Sequence, residues 1–374
     1  PALRQRAAQA LTDCALPAAD EVLLGLFHDR ASAVREAAVA AYAERVKTRG
    51  SVATPLEAVL QGGQRALMLP SAEALAHRGV SMALRPLMLV ARAGDPAERV
   101  VALLALGTLG DARALPELES LAAGTTAEQE VDPAMQDAAV EALGRLAPRL
   151  HDPEARARVI DRVEAATGPT SPTRLRVAGV KGLRAIGGER SRGMLESLAM
   201  DEGADGWVRA EAATALGALG DVRAEEALVQ CLRDEYYVVH EAARKALDAL
   251  FPHEATRVAL RAVQSPVFAV AEPAAEFLAR EGDPATLVAR MGDLDAVELR
   301  ERLRYGLLRR GAAPAAALTS LLEHPKPGAR EEAARLLGAA GAGVFSAAES
   351  EALDAALGRC LAAASGRYAG AATA

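Results

Sequence analysis

Residues 236–247 read YYVVHEAARKAL and hold the sharpest chemical pairing in the chain, His240 beside Glu241. Imidazole nitrogen and carboxylate oxygen are donors that suit iron and related transition metals, so the pair could be half of a metal centre. A second His-Glu pair, His253-Glu254, follows 13 residues later at a different helical phase. The three cysteines, Cys14, Cys231 and Cys360, are too far apart for a zinc spacing and odd in number for a disulfide framework. No nucleophile elbow, phosphate-binding loop or dinucleotide-binding glycine pattern is present.

What would position such a pair is a repeat. The stretch VRAEAATALGALGDVRAEEALVQCL (208–232) returns as ERVVALLALGTLGDARALPELESL (98–121), LRVAGVKGLRAIGGERSRGMLESL (175–198) and AREEAARLLGAAG (329–341). Weaker copies are LRQRAAQAL (3–11), VREAAVAAY (34–42), MQDAAVEALGRL (135–146), VHEAARKALDAL (239–250) and LRERLRYGLL (299–308), with two more near 67–79 and 270–282. Aligned on Arg209, the copies fall at positions 4, 35, 68, 99, 136, 176, 209, 240, about 271, 300 and 330. That spacing makes about eleven units and leaves no stretch for a separate domain.

Each unit reads as two helices. Val208, Ala212, Ala215, Leu216 and Leu219 recur on one face of a first helix. Gly220 closes it in the left-handed conformation, and Asp221 caps a second helix with Ala224, Leu228, Cys231 and Leu232 on its core side. Apolar residues make up 51% of the chain but aromatics only 3%. The core is therefore Ala, Leu and Val, which favours close-packed helices over a sandwich or barrel. One helix pair cannot bury its apolar side alone, so the pattern predicts an all-α fold: a right-handed α-solenoid of about eleven stacked helical hairpins. The expected organisation is one continuous solenoid over 1–365, with irregular long repeats near 124–173, and a flexible tail at 366–374.

The V-R-x-x-A-x-x-A-L-G-x-L-G-D-x-R-A blocks at 98–114 and 208–224 resemble the HEAT-repeat superfamily, in particular its phycobilin-lyase HEAT-like repeats. The resemblance spans the whole chain and implies the solenoid; sites are grafted onto such folds and do not follow from them. It also implies that turn residues such as Asp111, Arg113, Asp221 and Arg223 tie neighbouring turns together. VVHEAA looks like the His-Glu motifs with which deoxyhypusine hydroxylases, HEAT-like proteins themselves, hold two irons. At the aligned positions, however, the other repeats carry mostly arginine (Arg4, Arg35, Arg99, Arg176, Arg209, Arg300, Arg330) and none supplies a second histidine. His240 thus reads as a stand-in within a ladder of cations, and no metal or other cofactor is expected.

Two surface features remain as candidates for binding. Six of the eleven aromatic residues lie between 207 and 277: Trp207, Tyr236, Tyr237, Phe251, Phe268 and Phe277. Trp207, Tyr237 or Val238, and Phe268 sit near the start of three successive first helices. They form either a row of partner-binding anchors or a set of fillers between Ala-rich repeats. The second feature is charge. Residues 145–192 carry eleven basic groups and five acidic ones, a local +6 against −13 for the rest of the chain. Arg174, Arg176, Lys181 and Arg184 lie there beside a loop-like insert, ATGPTSPT (166–173), and could receive an acidic protein segment or a phosphate backbone.

The net charge of −7 disfavours general nucleic-acid binding. Apolar runs are too short and broken for a membrane span. The expectation is a non-catalytic scaffold, cytoplasmic, that binds a protein partner through Trp207, Tyr236, Tyr237, His240, Phe268 and the 174–184 cations. Alternatives are a tetrapyrrole-binding lyase-like enzyme or chaperone, and nucleic-acid binding through 145–192. The chain starts at Pro1 inside a repeat, which suggests a piece of a larger chain or complex.

Overall fold

The structure is a computed structural model that describes residues 1–124, 131–232, 234–251, 255–265, 268–291, 293–294, 296–309, 314–340 and 345–371. The His253-Glu254 pair and the last three residues of the expected tail lie outside them, as do residues 125–130 of the long-repeat region. Among the described residues there is no strand. The helices alternate as first and second members of pairs.

The chain divides into two compact units, Pro1–Ala215 and Leu216–Ala374. In the first are α1 (Ala2–Ala10) and α2 (Ala18–Leu26), α3 (Ser32–Thr48) and α4 (Thr54–Gln61), and α5 (Arg65–His77) and α6 (Leu84–Ala93). They are followed by α7 (Pro96–Leu109) and α8 (Leu115–Ala122), α9 (Pro133–Leu146) and α10 (Pro153–Ala166), and α11 (Thr173–Ile186) and α12 (Gly188–Ala199). Helix α13 (Gly206–Leu219) contains the division. The second unit continues with α14 (Glu225–Cys231), α15 (Tyr237–Leu250), α16 (Ala255–Ala262), α17 (Phe268–Glu281) and α18 (Pro284–Met291). It closes with α19 (Val297–Arg309), α20 (Ala315–Leu322), α21 (Pro327–Ala340) and α22 (Ala347–Ala371). Every aligned position of the sequence repeat falls on an odd-numbered helix, so the eleven copies are eleven helix pairs.

The periodicity places most of the core, although Leu219 is only half-buried. Val208, Ala212, Ala215, Leu216, Ala224, Leu228, Cys231 and Leu232 are all buried. Gly110 and Gly220, which close α7 and α13, have φ of +75° and +70°, the left-handed region where a Cβ is costly. Successive first helices touch almost backbone to backbone. A Cβ on Gly144 of α9 would stand 2.3 Å from Gly182 Cα of α11, and one on Gly306 of α19 would stand 2.4 Å from Ala279 Cβ of α17. This approach is why the core is built of small residues and so few aromatics.

The turn residues close their own turns. Arg113 folds back onto Asp111 of its own turn, with Nε to Oδ1 at 3.0 Å and Nη2 to Oδ2 at 2.6 Å. Arg223 does the same to Asp221, at 3.0 and 2.7 Å. Two residues of separation bring the guanidinium over the carboxylate, while that carboxylate also accepts the backbone N–H two residues on, at 3.0 Å in both turns. The arginine side of each pair is a brace within one turn.

Candidate functional site

The ladder position has a structural explanation that includes His240. Arg35 donates from Nη1 to the carbonyl oxygens of Asp29 (2.8 Å) and Arg30 (3.2 Å), in the loop before its helix. Arg99 reaches Ala91 (3.0 Å), Arg176 reaches Thr167 (3.1 Å), and Arg209 bonds to Ala204. In the second unit Arg300 donates to Leu294 at 2.6 Å, and Arg330 to His324 at 2.7 Å. Arg35, Arg99, Arg176, Arg209, Arg300 and Arg330 thus satisfy carbonyls where the preceding second helix gives way to the next unit, while Arg4 pairs with the Asp29 carboxylate.

His240 takes the same place. Its Nε2 donates to the Asp234 carbonyl at 2.5 Å, and the imidazole is 1% exposed. That bond fixes the proton on Nε2, leaving buried Nδ1 without a hydrogen-bond partner. Glu241 turns away to Arg244 (3.0 Å) and Lys245 (3.3 Å). The Arg244 hydrogen bond holds its carboxyl below the usual range. No cluster of His, Cys, Asp and Glu able to hold a metal exists among the described residues.

His240 and Arg176, expected on a partner-binding surface, are buried instead, Arg176 being 7% exposed. Their work as carbonyl donors requires it. Arg174 is exposed but tied, through Nη1, to Asp137 Oδ1 at 2.6 Å and the Pro133 carbonyl at 2.9 Å. Lys181 and Arg184 are half-buried along α11. Burial raises the Asp137 carboxyl above the carboxylate norm, opposed by Arg174 and Lys181. Further along, Arg190 pairs with Glu164 and Asp161, and Arg192 with Glu196. Much of the +6 charge is therefore met by the segment's own neighbours. Arg156, Arg158 and Arg162 on α10 stay exposed.

The aromatic cluster splits. Phe251 is 8% exposed and lies beneath the Arg257 guanidinium, 4.8 Å from the ring centre. Phe277 is half-buried. Trp207, Tyr236, Tyr237 and Phe268 are instead open to solvent, at 66, 50, 60 and 46%. Trp207 is in the first unit. In the second, Tyr237 and Phe268 are the first residues of α15 and α17, three before the ladder position. Val297, 46% exposed, opens α19 at the same register. Val297 is aliphatic, so its place in the row shows only in the repeat register. Tyr237 meets His240 edge-on at 6.1 Å, so the exposed anchor leans on the buried ladder residue.

A groove of about 790 Å³ lies between α17 and α19. Ala279 and Gly306 belong to its lining, as do Tyr305, Glu276, Arg280, Glu298, Glu301 and Arg302. Arg302 crosses it to Glu272. Tyr305 is 65% exposed.

Two repeat families match the sequence: HEAT repeats over residues 165–248 and the PBS lyase HEAT-like repeat over 98–124. These segments are HEAT-type repeats. Among solved structures, Kap121p bound to Pho4p is similar at TM-score 0.36 and 14% identity, covering 94% of this chain and 40% of that one. Kap121p bound to the extreme C-terminus of the protein phosphatase Cdc14p gives 0.38 and 15%, covering 95% and 43%. Human deoxyhypusine hydroxylase in complex with glycerol gives 0.28 and 18%, covering 90% and 97%. The chain spans about two fifths of the length of Kap121p. A comparison with curated proteins finds no match. Among the described residues, no helix is long and apolar enough to cross a membrane.

Proposed function

We propose that this HEAT-repeat chain is a non-catalytic scaffold that holds a protein partner at the starts of its first helices. One observation carries the reading. Trp207, Tyr236, Tyr237 and Phe268 stay exposed at those starts, while the polar ladder residues close by are consumed in holding backbone. Large apolar side chains on a surface with spare polar residues are the usual anchors of protein interfaces. The exposed arginines of α10 are a second surface, suited to an acidic segment of the same partner. A flat apolar macrocycle is a poorer fit, because the α17–α19 groove presents carboxylates and guanidinium groups. We place the protein in the cytoplasm, where Cys14, Cys231 and Cys360, all free thiols, stay reduced.

The test is site-specific photo-crosslinking in cells, with the probe at position 207, 237 or 268 and a control at exposed Arg290 on a second helix. The scaffold reading expects a protein adduct at 207, one shared protein adduct at 237 and 268, and none at 290. Absence of adducts at all three, or equal labelling at 290, sinks it.

A further inference from the structure

The register that places Tyr237, Phe268 and Val297 also places an acidic row beside them. One turn further into each helix stand Glu241, Glu272 and Glu301, at the position after the ladder, and Glu276 and Glu298 lie close by on the same side. Around Phe268 and Val297, Glu272 is met by Arg302 and Glu301 by Arg304, while the exposed carboxylates of Glu276 and Glu298 line the α17–α19 groove beside Arg280. The second unit therefore shows a row of one apolar residue per repeat, with the carboxylates of Glu276 and Glu298 beside its α17–α19 part.

The spacing of the rows selects the shape of what fits them. Packed helices lie about 8–10 Å apart, and the close approach at Gly306 and Ala279 keeps α17 and α19 toward the short end. Three residues of an extended chain cover about 9–10 Å. An extended segment crossing α15, α17 and α19 thus meets one apolar anchor at every third residue and passes the carboxylates between. A helix lying across the same row matches only at every seventh residue and has already used its carbonyls internally. An extended chain keeps its carbonyls free for the opening N–H groups of α15, which has no side-chain cap.

Resting on the scaffold reading, we propose that the face formed by α15, α17 and α19 binds an extended basic segment of the partner protein. Apolar side chains at every third position sit on Tyr237, Phe268 and Val297, and intervening Lys or Arg residues reach Glu276 and Glu298.

The experiment is fluorescence anisotropy of the full chain with labelled synthetic peptides: Leu-Lys-Pro triplets, Leu-Lys-Lys-Pro quartets, and Leu-Glu-Pro triplets. The basic triplet peptide is expected to bind best. Tyr237→Ala with Phe268→Ala should weaken it about tenfold. Glu276→Gln with Glu298→Gln should cost about two- to fivefold and flatten the salt dependence. All four side chains are exposed, and unchanged thermal melting confirms that the variants fold. Equal binding of the quartet or acidic peptide, or indifference to the alanine variants, overturns the proposal. Failure of the triplet peptide with crosslinks at 237 retained refutes the extended basic segment and leaves the scaffold standing. Loss of those crosslinks as well removes both.

Discussion

The Nε2–H of His240 bonds to the Asp234 carbonyl six residues upstream, the same reach with which Arg300 holds Leu294 and Arg330 holds His324. What looks like a metal ligand is a variant of a backbone clamp. His240→Arg, which restores the usual ladder residue, is expected to leave unfolding by denaturant nearly unchanged. His240→Ala removes the donor and should cost about 1–3 kcal/mol. Neither change should be accompanied by a loss of metal-dependent stabilisation: added ferrous or zinc ion leaves the melting temperature of the parent where it was.

Arg45 makes the heaviest demand of any clamp in the first unit. It is 2% exposed, pairs with Asp20 at 2.6 Å, and donates to the carbonyls of Leu11 (3.2 Å), Cys14 and Leu16 (3.3 Å). It therefore holds the whole α1–α2 connection. Arg45→Ala should lose about 3 kcal/mol or more, because Asp20 and several carbonyls lose their donor together. Limited proteolysis should show cleavage in 11–17 first. Cleavage elsewhere with that loop intact would refute the clamp.

Small residues between first helices give a paired prediction. Gly144→Ala drives a methyl into the backbone of Gly182 and should destabilise by about 1–3 kcal/mol. Gly193→Ala, within α12 and with nothing inside 4 Å, should be neutral or stabilise by up to about 1 kcal/mol. Denaturant midpoints of the two variants decide it; similar effects would mean that the close approach is not rigid.

The first repeat should respond to acid. Arg4 hydrogen-bonds Asp29 at 2.7 Å and, with the Ala31 N–H, lowers its carboxyl to about 2. A depressed folded value means that this contribution is present above the ordinary aspartate range, near 4, and is lost as pH falls toward 2. A carboxyl titration followed by NMR should find the Asp29 midpoint near 2. Arg4→Ala should move it back up toward the ordinary value. An unmoved midpoint would show that the pair does not form in solution.

Much of the fold was legible because its signal is repeated. Val208, Leu216 and Leu228 recur with their neighbours in copy after copy, so helix pairs, their number and their core faces follow from periodicity. The missing histidines at the aligned positions also gave His240 its correct role. Exposure was harder to read. Arg176 and Arg174 are the same residue type two positions apart, yet one is buried under its loop and the other is exposed against Asp137, because about half a turn of helix points them to opposite sides. Phe251 and Phe268 divide likewise: the first fills a gap beneath Arg257, the second opens a helix. Val297 escaped notice because it is not aromatic, and the α17–α19 groove because it is made by residues from two repeats, which no single copy shows.

The ladder bond also bears on how such a chain can grow. Donor and acceptor lie within a few residues of one another, so each joint is written entirely in the segment that forms it. A copied stretch that runs from the end of one second helix into the next first helix would arrive with its joint already braced. Lengthening by duplication therefore requires only that the small residues of the two new contacts match; the longer steps near 136 and 176 are the departures from an otherwise regular series.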